Sequence, residues 1–245
     1  VIAWEDEGLI LSTRRHGESD AILEALTAAH GRRLGVVRGG GGRRRALLQP
    51  GATARLEWRA RLPEHLGTFR AETARDRAGR IMADADALAA LASMAALLGL
   101  LPEREPQPAL YAASVVLVEA LADGSDWPPA YALWELGFLR EAGFGLDLAS
   151  CAATGAAHDL IWVSPRSGRA VSRAAGAPYA DRLLPLPGFL CGQGPADREA
   201  VADALRLTGW FIAHRLARAF GLEAPPAART RLAARLGGVT PARPA

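Results

Sequence analysis

Lysine is absent from this 245-residue chain, and all 29 of its basic residues are arginine. That absence removes a Walker A phosphate-binding lysine and a Schiff-base lysine, and several enzyme classes fall with them. Cysteine is nearly absent as well: Cys151 and Cys191 are too few for a disulfide-stapled fold and suit a reducing compartment. No stretch reaches the roughly 18 to 20 apolar residues of a membrane helix, and the richest run, Leu88–Leu101, is too short to span. Residues Val1–Asp6 carry acids rather than a basic leader, so the expected location is cytoplasmic.

Half of the residues are hydrophobic and 22% are charged, a balance that supports a buried core and excludes disorder as the main state. The length suits two modest domains. Abundant alanine beside the missing lysine reads as GC-rich codon usage, since an exposed arginine replaces lysine at little cost. The net charge of +3 conceals a strong segregation. Residues 31–61 hold nine arginines against one acid, Glu57, whereas residues 80–160 hold three arginines against eleven acids. Such a concentrated basic block is the footprint of a polyanion site, because neutralising phosphates needs several positive charges within mutual reach. A solvated basic face without a partner has the same composition.

The first eighty residues contain five short β-prone runs: Gly8–Ser12, Ala21–Thr27, Leu34–Arg38, Thr53–Arg61 and Leu66–Ala74. The fourth is the clearest, since Ala54, Leu56, Trp58 and Ala60 alternate with Arg55, Glu57, Arg59 and Arg61, giving one apolar and one arginine-rich face. Five strands with no room for helical crossovers imply a small barrel of the OB type. Between the third and fourth strands, four glycines (39–42) feed Arg43, Arg44 and Arg45, which reads as a mobile basic loop. It lacks the Gly-Lys-Ser/Thr ending and following helix of a P-loop. Aromatic residues are few here (Trp4, Trp58 and Phe69), so binding through phosphates is expected to outweigh base stacking.

Beyond Gly79 the period becomes helical, with helices expected from about Ile81 to Leu101, Pro108 to Ala122, Pro128 to Ala142, and Asp197 to Phe220. Residues 143–194 are irregular, with β-prone pieces at Leu160–Val163 and Ala170–Ser172. Cys151 and Cys191 have no Cys-x-x-Cys partner, and only His158 lies near as a third ligand, so no metal site is assigned. The histidines His16, His30, His65, His158 and His214 form no catalytic spacing, and the chain is read as a non-enzyme without cofactor. An OB-fold RNA-binding protein, or a metal-dependent hydrolase or nuclease using the middle region, remain as alternatives.

One motif series goes further: Gly8-Leu-Ile-Leu-Ser-Thr-Arg-Arg-His-Gly-Glu-Ser-Asp20, then His30-Gly31, the basic glycine loop, and Leu47-Leu-Gln-Pro-Gly51. Later come Leu136–Phe144, Cys151, Ser164-Pro-Arg-Ser-Gly168 and Pro226-Ala-Ala-Arg229. In order and spacing this resembles the RecO family over nearly the whole chain. The resemblance implies an α+β protein: an N-terminal five-stranded OB-fold barrel over residues 1–79, then a mainly helical domain over 80–245 with an irregular, degenerate zinc-ribbon-like insertion at about 143–194. It also implies a mediator of DNA repair and homologous recombination in the bacterial cytoplasm, associated with the nucleoid. Such a protein binds single- and double-stranded DNA, engages the acidic tail of the single-strand-binding protein SSB, and anneals complementary strands. With RecR it promotes RecA loading, and no membrane is involved. Many relatives carry a four-cysteine zinc element; here only Cys151 of that pattern is evident, with Thr154 and Val171-Ser172 at the other positions, so zinc is withheld.

DNA contact is carried over to Arg14 and Arg15, to Arg32, Arg33 and Arg38, and to Arg43, Arg44 and Arg45. Arg55, Arg59 and Arg61 are added from the alternation alone. The SSB tail ends in phenylalanine and calls for an apolar pocket beside arginines. Trp134, Phe138 and Arg140, with Arg206, Trp210 and Arg215, are the candidates for it.

Overall fold

The structure is a computed structural model that describes residues 2–237, apart from the side chains of Arg43 and Arg44. The chain divides into two compact units, Val1–Ser125 and Asp126–Ala245. In the first, β1 (Ile2–His16), β2 (Asp20–Thr27), β3 (Gly31–Val37), β4 (Thr53–Ala60) and β5 (Thr68–Arg75) close into a barrel of order β1-β2-β3-β5-β4. This is the five-stranded OB barrel that the strand pattern and the resemblance anticipate.

β1 is three times the expected length because it serves two neighbours. Its residues Ile2–Leu9 pair with β4, and Gly8–His16 pair with β2. A register shift between Ile10 and Ser12 supplies the bend that lets one strand do both. The charged flanks around Gly8–Ser12 interrupt the apolar signal, although their backbone is fully paired. β4 alternates as its sequence requires: Ala54, Leu56 and Trp58 are buried, while Arg55 and Arg59 are exposed. Trp58 packs with Ile10, Leu23, Val37, Leu56 and Phe69, and removing such a ring costs about 3–5 kcal/mol.

β3 and β5 run parallel and meet only at Val36 and Thr68. The seam along the first half of β3 is occupied instead by the segment after the second helix, where Glu103 bridges Arg32 and the Arg104 amide donates to the Arg32 carbonyl at 3.0 Å. Gly31, at φ 65°, permits this approach: a Cβ there would lie 2.1 Å from the Glu105 carbonyl oxygen.

The helices of this unit are α1 (Ala78–Met82), α2 (Ala85–Leu98) and α3 (Pro108–Asp123). The single helix expected from Ile81 to Leu101 is broken because Asp84 is extended and its carboxylate accepts from the amides of Asp86 and Ala87, at 2.8 and 3.3 Å. A strong N-cap here overrides the 3.6 period. The compact division thus lies after α3, whereas the change from strands to helices lies near residue 79.

In the second unit, α4 (Trp127–Glu141) precedes a small antiparallel sheet of β6 (Leu160–Val163), β7 (Ala170–Ser172) and β8 (Leu184–Pro185), in the order β7-β6-β8. The short α5 (Arg173–Gly176) follows β7. α6 (Arg198–Phe211) continues through a π-helical turn, Ile212–Leu216, into α7 (Ala217–Ala219), so the long helix expected over Asp197–Phe220 is a composite. α8 (Ala227–Arg235) was not expected; its composition is mostly alanine and arginine, without an apolar period. Arg229 anchors it, donating to Glu135 of α4 at 3.0 and 2.9 Å and to the Leu205 carbonyl at 2.6 Å, while Thr208 also donates to Glu135. Arg229 and Glu135 are almost fully buried. Burial alone would lower the Arg229 pKa, and the Glu135 carboxylate more than reverses it. Among the described residues no helix is long and apolar enough to cross a membrane.

Candidate nucleic-acid interface

The barrel arginines fall into distinct environments. At one end, the register aligns Arg15 with Ala21 and Ala21 with Val37, so the end of β1, the start of β2 and the end of β3 lie side by side. Arg14, Arg15, Arg38 and Arg45 are all exposed there, and none of the four forms an ion pair among the described residues. Arg15 donates only to the Glu18 carbonyl, at 3.0 Å.

The glycine loop at this end is hydrogen-bonded to the hairpin between β1 and β2. Gly39 donates its amide to the Asp20 carboxylate at 2.9 Å and Gly41 donates to the Ser19 carbonyl at 2.8 Å. A Cβ at Gly41 would lie 2.8 Å from the Asp20 carbonyl oxygen, so the close approach needs glycine. Residues Arg43–Leu47 form a 3-10 turn. Beyond it, Thr73 and Thr13 donate to the Leu47 and Leu48 carbonyls, each at 2.6 Å, and Arg77 donates to the Gly51 carbonyl at 3.2 Å. The glycine count signals freedom, and the neighbouring strands supply hydrogen-bond partners for two of its amides and for the carbonyls that follow it. The side chains of Arg43 and Arg44 lie outside the described residues.

Other candidates have internal partners. Arg32 pairs with Glu24 at 2.7 Å and donates to the Leu101 carbonyl at 2.9 Å, with little exposure. Arg33 lies over the rings of Trp58 and Trp4, at 5.0 and 5.9 Å. Arg55 pairs with Glu5 across strands at 3.0 Å, and Arg70 sits 3.9 Å from both Glu57 and Glu72, so the outer face of β4 is a lattice of mixed sign. Arg59 and Arg61 are exposed. Trp4 offers no open platform, because His30 stacks on it at 4.0 Å and Trp58 at 5.7 Å. Alternation identifies which arginines leave the core; it does not reveal which meet an acid.

In the second unit, Trp134, Phe138 and Trp210 are buried. Arg206 is bound to Asp203 and the Gly237 carbonyl, and exposed Arg140 lies 3.4 Å from Glu141. Of the six tail candidates Arg215 borders a cavity of about 180 Å³, together with Arg166, Phe144, Leu146, Gly168 and Phe211. Arg215 donates to the Arg166 carbonyl at 2.6 Å. These residues come from separate segments, so no period links them, although Phe144 and Ser164–Gly168 stand among the recognised landmarks.

Cys151 is buried, and its sulfur accepts from the Ser172 amide at 3.3 Å. Burial pushes the thiol up, but hydrogen bonds from Ser172, Thr154 and the backbone of Ser172 and Ala153 outweigh that and hold it at about 6. Burial pushes the Cys191 thiol up. Among the described residues no three His, Cys, Asp or Glu side chains gather to hold a metal.

The chain matches family models described as Recombination protein O N terminal, over residues 2–76, and Recombination protein O C terminal, over residues 82–223. It belongs to the RecO family of DNA repair proteins. Among similar RecO sequences, the DNA repair protein RecO of Cereibacter sphaeroides is 52% identical over 234 residues, covering 95% of this chain and 97% of the relative. That of Dinoroseobacter shibae is 50% identical over 233 residues, covering 94% and 96%. That of Mesorhizobium japonicum is 53% identical over 234 residues, covering 94% and 92%. The RecO N-terminal model ends one residue beyond β5, and the C-terminal model begins at the last residue of α1, so the two meet where strands give way to helices.

Proposed function

We propose that this RecO-family chain is a recombination mediator that holds single- or double-stranded DNA by its phosphates at the barrel end carrying Arg14, Arg15, Arg38 and Arg45. The observation that carries this reading is that these four exposed arginines form no ion pair among the described residues, while Arg32, Arg55 and Arg77 are bound internally. Contacts of this kind tolerate any sequence and leave base edges free to pair with a second strand, which suits annealing. Arg45 sits on a turn whose following residues, Leu47 and Leu48, are bound to neighbouring strands, which lowers the entropic cost of binding. Arg59 and Arg61 extend the basic surface.

The cavity of the second unit is the proposed seat of the SSB tail. An apolar cavity of about 150 Å³ holds a benzene ring, and on this reading one phenyl group lies in the open pocket against Phe144, Leu146 and Phe211 while Arg166 and Arg215 face acidic groups. On this reading SSB is displaced locally, without an energy-consuming step, and RecR then joins to promote RecA loading. The test is annealing of complementary strands precoated with SSB, using intact SSB and SSB lacking its tail, across a salt titration. Acceleration that requires the tail and fades with salt is expected. Failure of the folded protein to accelerate annealing at low salt would overturn the reading, and tighter binding to RNA of the same sequence would redirect it to RNA.

A further inference from the structure

At the opposite end of the barrel, two guanidinium groups are held next to each other on one hairpin. Arg33 donates to the Pro63 carbonyl at 3.3 Å, and Arg104 donates to the adjacent Glu64 carbonyl at 2.8 Å. Neither forms an ion pair among the described residues, and most of their donors remain free: Arg33 uses one more on the His30 carbonyl, of the five an arginine carries. The face of Arg33 lies on Trp58, which fixes its plane. Arg104 is one of two non-glycine residues at positive φ among the described residues, at 73°. Two adjacent cations disfavour one another: burial and then the Arg104 charge lower the Arg33 pKa, and Glu103, the acid that offsets them, is shared with Arg32 at 3.9 Å. A phosphate between the two would relieve that repulsion.

We infer that Arg33 and Arg104 form a second phosphate-binding position, so that the barrel grips a DNA strand at both ends. The inference rests on the phosphate-binding reading of the first end and extends it. Arg33 on β3 and Arg38 just past its end stand five residues apart, about 17 Å at the rise of a strand. A strand stacked at 3.4 Å per nucleotide must therefore exceed roughly five nucleotides to touch both positions. Site sizes of about 4 to 16 nucleotides per OB fold bracket that length.

The test compares binding of oligodeoxyadenylates, whose bases stack, of about 4 and about 16 nucleotides by the full chain and by Arg104→Gly. Glycine is at ease at φ 73°, so this variant removes the cation while relaxing the backbone, and its melting temperature serves as the folding control. The expected result is a several-fold weaker hold on the longer strand, with the salt slope lower by about 0.7, and unchanged binding of the shorter one. Equal affinity and slope for the longer strand would overturn the second position while leaving the first intact. If the unmodified chain binds neither strand, the phosphate-binding reading itself fails.

Discussion

Arg38 and Arg229 are the same side chain in opposite circumstances. Arg38 stands exposed at the end of β3 and forms no ion pair among the described residues, whereas Arg229 lies buried between α4 and α6 with its charge matched by Glu135. The difference teaches where each can act. A buried guanidinium with its carboxylate holds two helices in register and has nothing left for a ligand. An exposed group with free donors contributes little to folding and is available to a polyanion. The barrel contains both kinds, since Arg77 is buried against Glu119 of α3 at 2.5 Å while Arg14 and Arg15 are not.

Removing a buried partner should have the largest effect. Arg229→Ala leaves the Glu135 carboxylate buried without its cation, and a loss of about 3–5 kcal/mol is expected, measured by denaturant unfolding. Replacing the pair together, as Glu135→Leu with Arg229→Met, should cost much less, because no charge is left stranded. A double variant as unstable as the single one would show that the helices are held by something other than this pair. Lysine at 229 should not rescue, since it cannot reproduce the bidentate fork.

Glu119 gives an intermediate effect with a pH signature. The hydrogen bond from Arg77 is the main cause that holds its carboxyl at about 2, against 4.5 ordinarily, with Arg75 adding to it. The folded state therefore binds this proton less readily than the unfolded chain. The stability it contributes is full above pH 4.5 and is lost as pH falls toward 2. Glu119→Gln should lower stability at neutral pH and flatten the acid limb in that window. An acid limb identical to that of the unmodified chain would remove Glu119 from the account.

These contrasts also mark what could be read before the fold was known. The alternation at Thr53–Ala60 places Ala54, Leu56 and Trp58 inside and Arg55 and Arg59 outside, because burial of a strand face is a local property, and it misses the buried Thr53. β6 and β7 are likewise bounded by their own β-branched and apolar residues. Arg32 and Arg38 look equivalent in sequence, and they separate only when Glu24 on β2 and Glu103 after α2 are placed beside one of them. α8 is invisible to periodicity for the same reason, since the group that buries Arg229 lies 94 positions away. The cavity beside Arg215 joins residues of three segments. Local chemistry was legible; the pairing of charges across long separations was not.

The smallest effect on stability should come from the end of the barrel where the effect on DNA is greatest. Arg38→Ala combined with Arg45→Ala removes two exposed cations that hold no acid, so the change in folding free energy should stay within about 0.5 kcal/mol for each. The salt dependence of single-strand binding should fall by about 0.7 for each phosphate that is no longer neutralised, with affinity reduced for all sequences alike. Arg32→Ala is the opposite control: it breaks the 2.7 Å pair with Glu24 and the bond to the Leu101 carbonyl. It should therefore lower the melting temperature while leaving the salt slope of the folded protein unchanged. If Arg32→Ala changed the slope and the Arg38 and Arg45 substitutions did not, the division between structural and DNA-facing arginines would be inverted, and the strand would have to lie along β2 and β3 rather than at the end of the barrel.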